Sequence, residues 1–282
     1  GALTYVMNNI DKDDSATISI KDGVYNEMLF LRNQNNITIQ GESRENTIVQ
    51  YDNYETFNGG SSGRPLFLVE SADMLMLNNF TLKNSHIRDN AYSNQAEAIY
   101  FNSSHRLVAN NMNFFSEQDT ILVKGYAWFY NSLIAGNVDF IWGYPVAALF
   151  EESEIRTIGD SKNGPSDTPT SGGYVLQARV PNETDPGFVF LNSEFTNGPG
   201  PLGNTVADGS TYIARSSGNL DTYDNVILIN NKFDTHIATG GWAVQGVNGQ
   251  PAPNPEVATA TSGWREYGSM DMAGNSLDIS GR

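Results

Sequence analysis

The chain has 282 residues, 39% of them hydrophobic, which is enough for a large core in one or two domains. Its net charge of −16 argues against nucleic acid as a partner, and its lack of cysteine excludes disulfides, thiol nucleophiles and cysteine-bound metal. No apolar run is long enough to span a bilayer, so we expect no membrane partner.

Local patterns at the beginning of the chain predict a short helix followed by strands. Residues 3–9 read as a helix, and residues 11–14 as a turn. Residues 17–20 alternate as a strand does, and residues 24–27 begin the next strand after a turn at Gly23. Because the sequence opens inside an amphipathic segment, we expect an upstream signal or neighbouring module to precede it.

A short motif then recurs, in which a strand-like run meets a polar step, usually Asn-Asn or Asn-Ser, followed by a large apolar residue. The copies fall at Asn35, Asn78, Asn110, Asn131, Glu152, Asn192 and Asn230. A basic interval near 21 residues, lengthened by insertions, is typical of a solenoid. The strand-like runs and the 27 glycines favour an all-β chain folded as a parallel β-helix, with stacked Asn turns. A β-sandwich is the alternative, but its hairpin signals are missing.

Two insertions, residues 157–173 and 244–263, are rich in turn-forming residues and read as loops. Long loops on a rigid solenoid often form the walls of a binding groove. Strand-like segments continue on both sides of each insertion. We therefore predict a single domain over residues 1–282.

The chemistry is expected at two acids that interrupt apolar runs, Asp119 and Asp139. They lie 20 residues apart, about one coil, which would place them on neighbouring strands about 4.8 Å apart. Gln118 adjoins Asp119, and Gln95 lies about one coil earlier. Two close carboxyl groups cannot both ionise cheaply, so one suits an acid and the other a nucleophile. The amides could donate to an oxyanion. For either acid alone, a turn position is the alternative interpretation.

Five motifs occur in a characteristic order: Gly-x-Tyr-x-Glu at 23–27, Gln-Ala-Glu-Ala at 95–98, Gln-Asp-Thr at 118–120, the run 136–143, and the run 172–179. Together they resemble the pectin methylesterases of carbohydrate esterase family 8. The resemblance implies a right-handed, single-stranded parallel β-helix of the pectin lyase-like type. It also implies hydrolysis of galacturonate methyl esters in pectin without a metal or cofactor.

The resemblance assigns roles to residues one by one. Asp139 matches the nucleophile and Asp119 the general acid and base, while Gln95 and Gln118 match the oxyanion donors. Arg215 matches an arginine that pairs with the nucleophile, although the Pro-Trp that follows it in the family is replaced here by two serines. The substrate-binding positions implied are Tyr100, Phe101, Val138, Trp142 and Trp242. Gly23, Tyr25 and Glu27 are interpreted as structural.

The expected substrate is methylated homogalacturonan, handled by a monomer in an extracellular or periplasmic location. Three alternatives remain open. A pectate lyase or polygalacturonase would need a calcium-binding acidic cluster or a wider pair of acids, and neither is evident in the sequence. A different esterified uronate, or a non-catalytic pectin-binding module, would fit the lost tryptophan.

Overall fold

The computed structural model describes residues 1–165, 168–243, 259 and 262–282. In this part of the chain one α-helix, α1 (Ala2–Asn9), precedes 24 strands, and a 3-10 helix covers Ser161–Asn163. The strands in chain order are β1 (Ala16–Ile20), β2 (Gly23–Asn26), β3 (Leu29–Arg32), β4 (Ile37–Gly41), β5 (Thr47–Tyr51), β6 (Phe67–Glu70), β7 (Leu75–Asn78), β8 (Thr81–Asn84), β9 (Ile99–Asn102), β10 (Arg106–Asn110), β11 (Asn113–Phe115), β12 (Ile121–Tyr130), β13 (Leu133–Gly136), β14 (Val138–Glu151), β15 (Glu154–Ile158), β16 (Gly173–Ala178), β17 (Gly187–Leu191), β18 (Glu194–Gly198), β19 (Thr211–Arg215), β20 (Val226–Ile229), β21 (Lys232–Phe233), β22 (Trp242–Ala243), β23 (Trp264–Tyr267) and β24 (Met270–Asp271).

The strands stack in parallel into three faces. The first face consists of β3, β6, β9, the beginning of β12, the beginning of β14, β16, β19 and β22. The second consists of β1, β4, β7, β10, the ends of β12 and β14, β17, β20 and β23. The third consists of β2, β5, β8, β11, β13, β15, β18, β21 and β24. The predicted all-β parallel β-helix is confirmed, and so are the predicted first helix and first two strands.

At the turn that follows the second face, six successive coils repeat the same backbone conformation. The residues at this turn have positive φ values, and they are Asn79, Asn111, Asn131, Glu152, Asn192 and Asn230. The Asn111 amide donates to Asn79 Oδ1 at 2.7 Å, and Asn131 donates to Asn111 at 3.4 Å. The predicted stacking of Asn on Asn is confirmed for these three coils. The left-handed residue is the second of the pair at Asn79 and Asn111 and the first of the pair at Asn230, and Asn tolerates this conformation well. The copy predicted at Asn35 was wrong, because that pair precedes β4 and lies at another corner of its coil.

The interior is a continuous apolar core, with stacked rings along its axis. Phe129 stacks on Phe150 at a centroid distance of 4.6 Å, and Phe150 stacks on Phe190 at 4.8 Å. A second, smaller apolar cluster lies outside the first face, since strand residues alternate between the two sides of a sheet. It consists of Tyr100, Leu122 and Trp142, with Leu68 and Tyr144 packed against them. We call this the outer cluster.

Two long strands, β12 and β14, each run from the first face onto the second without an intervening loop. Each contains a glycine with positive φ: Gly125 (φ 63°) lies where the register between the two strands shifts, and Gly143 (φ 136°) pairs with Val123 on the first face. A Cβ at Gly143 would lie 2.2 Å from the Val123 carbonyl oxygen, so a side chain there would collide with the neighbouring strand. The two strands thus approach each other closely at this pair of residues.

The segment after β15 was predicted to be a loop and, where it is described, is confirmed as one around the 3-10 helix. A buried ion pair of 2.8 Å between Arg88 and Asp160 anchors it, and the Ser161 N–H donates to Glu117 at 2.8 Å. The second predicted loop, 244–263, lies almost entirely outside the described residues. Among the described residues, no helix is long and apolar enough to cross a bilayer.

Candidate active site

The two predicted acids lie side by side on adjacent coils. Gln118 pairs with Val138 in parallel register, and the Asp119 N–H donates to the Val138 carbonyl at 3.2 Å. Asp119 has φ 65° and Asp139 has φ 47°, and both side chains are buried. Positive φ in non-glycine residues is uncommon and concentrates at functional sites. The one-coil spacing of 20 residues thus brings the acids together as expected.

Asp139 is surrounded by hydrogen-bond donors. Arg215 contacts both carboxylate oxygens, with Nε donating to Oδ1 at 2.9 Å and Nη2 donating to Oδ2. Gln177 Nε2 donates to Oδ2 at 3.1 Å. Burial raises the pKa of Asp139, and the bidentate Arg215 guanidinium opposes that rise. With three donors on its two oxygens, Asp139 is the better placed of the two acids to carry a negative charge.

Asp119 has a poorer set of donors. Its carboxyl receives a single contact of 3.3 Å from Arg64 Nη2. Burial, followed by the negative charges of Glu97 and Asp139, raises the pKa of Asp119 well above its ordinary value. The two acids therefore lie in unlike surroundings: Asp139 receives three donors, and the pKa of Asp119 is raised well above its ordinary value.

Gln95 and Gln118 lie next to each other beside the acids. The Ala96 N–H donates to the Gln118 carbonyl at 3.2 Å, which aligns the two segments. Both side chains are partly exposed, and neither carboxamide forms a hydrogen bond within the described part of the chain. Two unengaged amides beside paired carboxyl groups are available to a bound oxyanion.

Two of the predicted substrate-binding aromatics, Tyr100 and Trp142, form the outer cluster beside the acids. Trp142 is 8% exposed, and its Nε1 is buried without a partner among the described residues. Val138 is partly exposed and pairs with Gln118 on one side and Tyr174 on the other. These three positions are on the surface that also carries the acids.

Two other predicted substrate contacts are not supported. Phe101 is fully buried in the interior core, so the prediction that it lines the groove was wrong. It follows Tyr100 on β9 and therefore points to the opposite side of the sheet. Trp242 pairs with the core residue Ala214, packs against the core and stacks on Trp264 at 5.1 Å, so its ring is committed to the inward side.

The two serines that replace the expected Pro-Trp are structural. Ser216 Oγ donates to Asp224 at 2.7 Å, and the Ser217 N–H donates to the same carboxyl at 3.4 Å. All three residues are buried, and burial raises the pKa of Asp224 to about 6. The guanidinium carbon of Arg215 lies 4.4 Å from the centre of the Tyr174 ring, so this side chain packs against an aromatic ring from another strand. The segment after Arg215 is thus fixed without an indole ring.

Sequence reasoning assigned no role to several polar residues at the site: Arg64, Glu97, Lys124, Gln177 and Arg179. Gln177 lies on the apolar strand β16, and Arg179 directly follows that strand. Gln177 follows Asp139 by 38 residues, the length of one expanded coil. Glu97 interrupts an apolar run much as Asp139 does. Among the described residues, no group of three or more His, Asp or Glu side chains could hold a metal ion.

The sequence and the fold of this chain are both similar to those of known proteins. The pectinesterase family model matches residues 2–254. A pectinesterase from Aspergillus aculeatus is 26% identical over 257 residues, which cover 87% of this chain and 71% of the relative. The pectin methylesterase from Yersinia enterocolitica has a similar fold, with a TM-score of 0.75 at 22% identity over 99% of this chain and 92% of its own. A pectin methylesterase solved in complex with a hexasaccharide gives a TM-score of 0.78 at 22% identity, over 99% and 86% of the two chains.

The structural matches identify the fold as a right-handed parallel β-helix, as predicted. The family model spans most of the chain and includes the five site residues Gln95, Gln118, Asp119, Asp139 and Arg215. The chain belongs to the pectinesterase family.

Proposed function

We propose that this protein hydrolyses the methyl esters of galacturonate residues in pectin, releasing methanol. The observation that carries the proposal is the pair of buried acids with unlike surroundings: Asp139 is held by Arg215 and Gln177, and Asp119 has one long contact to Arg64. Such a pair supplies a nucleophile and a proton donor within one site.

In the first step, an Asp139 oxygen attacks the ester carbonyl carbon, and the carbonyl electrons move onto its oxygen. Gln95 and Gln118 donate hydrogen bonds to this oxyanion through carboxamides that have no partner in the described part of the chain. As the carbon–methoxyl bond breaks, Asp119 gives its proton to the departing oxygen, so methanol leaves neutral. The product is an acyl-enzyme, in which the uronate is joined to Asp139 as an anhydride.

In the second step, Asp119 is ionised and takes a proton from water as the water oxygen attacks the acyl carbon. The anhydride bond breaks, Asp139 regains its negative charge and Asp119 regains its proton. Arg215 and Gln177 stabilise the Asp139 carboxylate as it leaves. The balance is one ester and one water consumed, with one methanol and one uronic acid formed.

The surface beside the acids suits a uronate polymer. The outer cluster provides aromatic rings on which sugar faces can pack. Lys124 lies 5.8 Å from the Tyr100 and Tyr144 rings, and Arg179 lies 5.0 Å from the Trp142 ring. Neither cation forms an ion pair with a described residue, whereas these arginines do: Arg32, Arg44, Arg64, Arg88, Arg106, Arg156, Arg215 and Arg282. A related pectin methylesterase has been solved with a hexasaccharide, which supports a polysaccharide ligand here.

The direct test is product analysis on a panel of methylated, acetylated and unesterified uronate polymers. We expect methanol and new carboxylic acid in equal amounts from methylated homogalacturonan, with no new reducing ends and no unsaturated products. Acetate release without methanol would favour the same chemistry on another ester. Binding without any release would contradict the enzymatic proposal.

Neighbouring residues on β9 should separate substrate binding from stability. Phe101→Ala removes a fully buried ring and should cost about 3–5 kcal/mol of unfolding free energy. Tyr100→Ala removes an outward ring that is 5% exposed, so it should also lower stability, but of the two variants it alone should raise the KM for methylated pectin, by about tenfold, equivalent to roughly 1.4 kcal/mol. Urea unfolding and initial rates of methanol release measure the two effects. Equal KM values for Tyr100→Ala and the unmodified enzyme would remove Tyr100 from the binding surface.

A further inference from the structure

Arg64 is shared among three carboxyl groups. Glu97 takes the largest share, because Arg64 Nε donates to its Oε2 at 2.9 Å and Nη2 donates to its Oε1 at 2.8 Å. Arg64 Nη1 donates to Glu55 at 2.8 Å. The same Nη2 reaches Asp119 at 3.3 Å. Asp119 is therefore the weakest of the three partners of this guanidinium.

This cluster is largely shielded from water. Glu97 is completely buried, Asp119 is 7% exposed and Arg64 is 8% exposed, whereas the Glu55 side chain is 30% exposed. One buried positive charge thus faces two buried acids. Ionising both acids would leave an uncompensated negative charge in a dry environment, which is costly. One of the two acids is expected to hold a proton.

The hydrogen bonds indicate which acid that is. Glu97 is paired through both oxygens, while Asp119 has one long contact and Asp139 as a neighbour across the coil. We propose that Glu97 is a positioning residue for the proposed ester hydrolysis: by occupying Arg64, it keeps the catalytic proton on Asp119 between turnovers. This inference rests on the proposed function.

The charged groups around Asp119 act in opposite directions. Burial, then the charge of Glu97, then that of Asp139, raises the pKa of Asp119, and the two arginines Arg64 and Arg179 oppose the rise. Arg215 also interacts with Asp119 electrostatically. Burial raises the pKa of Glu97 as well, but its bidentate contact with Arg64 works against that. Glu97 affects Asp119 both by its own charge and by drawing Arg64 away.

Glu97→Gln is the informative variant, because it keeps the size of the side chain and removes its charge. Arg64 is then free to pair with Asp119, so Asp119 should lose its proton more readily. Since the proposed acid must be protonated, the alkaline limb of the kcat/KM profile should move by about one pH unit or more toward acid. Glu97→Asp, which restores the charge, should move the limb back toward its original position.

A matched control removes a carboxylate from another arginine pair, outside the site. Asp73 binds Arg106 through a contact of 2.8 Å to Nε, and Asp73→Asn breaks that pair with the same change of net charge. It should leave the alkaline limb in place. If Glu97 merely stabilises the fold, Glu97→Gln and Asp73→Asn will both lower stability and neither will move the limb, which would overturn the proposal.

A second readout does not depend on activity. Carbon NMR of protein labelled at the aspartate carboxyl groups, with the Asp119 signal assigned by its loss in Asp119→Asn, follows this titration directly. We expect the Asp119 carboxyl to titrate well above its ordinary range in the unmodified protein and at lower pH in Glu97→Gln. An Asp119 that titrates in or below its ordinary range in the unmodified protein would refute the inference even if Glu97→Gln did not fold. A protein that shows the expected titration but releases no methanol would count against the proposed function alone.

Discussion

Asp139→Asn should reduce methanol release from methylated pectin by a factor of about 10⁴ or more, because it removes the proposed nucleophile while keeping the shape of the side chain. An amide oxygen can still accept the hydrogen bond from Arg215, so the packing around it should persist. Stopped assays with methanol detection measure the loss. The variant should still fold and bind unesterified oligogalacturonate, with a lower melting temperature because the Arg215 guanidinium loses its counter-ion.

Glu152→Asn provides the control for Asp139→Asn. Glu152 is an acidic residue with φ 49°, at the turn position that Asn occupies on neighbouring coils. It is exposed and lies on the turn ladder, away from the paired acids. Glu152→Asn should keep full activity. Turnover of Asp139→Asn within tenfold of the unmodified enzyme would remove Asp139 from the role of nucleophile.

Asp119→Asn should lower kcat by about 10²–10⁴-fold, since general acid–base catalysis typically contributes that much. The asparagine cannot protonate the methoxyl oxygen and cannot activate water, so both half-reactions should slow. Substrates with better leaving groups than methanol need less help from an acid, so the defect in the first step should shrink with them. A constant defect across leaving groups would argue against a proton donor at Asp119.

The same substitution should make the protein more stable at neutral pH. The pKa of Asp119 is raised in the folded protein, chiefly by burial, above its unfolded value of about 3.9. A group that holds its proton more tightly when folded makes stability fall as pH rises from the unfolded pKa through the folded pKa. Asp119→Asn removes this loss. Its gain in melting temperature should therefore be largest above the folded pKa of Asp119 and vanish below about pH 3.9.

The turns could be predicted from the repeated Asn steps, and the pair of acids from the coil between Asp119 and Asp139, which contains no insertion. Asn tolerates the left-handed conformation, so the repeated Asn steps from Asn78 onward marked the same corner of successive coils, whereas the step at Asn35 lies at another corner. Between Asp119 and Asp139 the sequence interval equals one circuit of the solenoid, and linear spacing converts directly into contact. Where no insertion intervenes, the residue interval alone predicts which positions of adjacent coils are paired.

Other residues that contact the acids could not be predicted, because the coils between them contain insertions of variable length. Arg64 precedes Glu97 by 33 residues, and Gln177 follows Asp139 by 38, so neither interval matches the basic period. Phe101 was misassigned for another reason. Ile99, Tyr100 and Phe101 are all apolar, and where both sides of a strand are buried the inward and outward positions cannot be told apart by hydrophobicity.

Because β12 passes the corner at Gly125 without a loop, the number of residues in this part of the chain cannot change freely. The chain between the two acids consists of Thr120, β12, a two-residue turn, β13, Asn137 and Val138, the first residue of β14. An added residue there could not be absorbed, and a slip by one position would exchange the inward and outward sides of the strand. On the other side, residues 159–172 separate β15 from β16 in the sequence, and a change in their number would not alter the spacing between the two acids. Insertions and deletions should therefore be tolerated in that interval and not between Asp119 and Asp139, where the contact depends on one uninterrupted circuit of the solenoid.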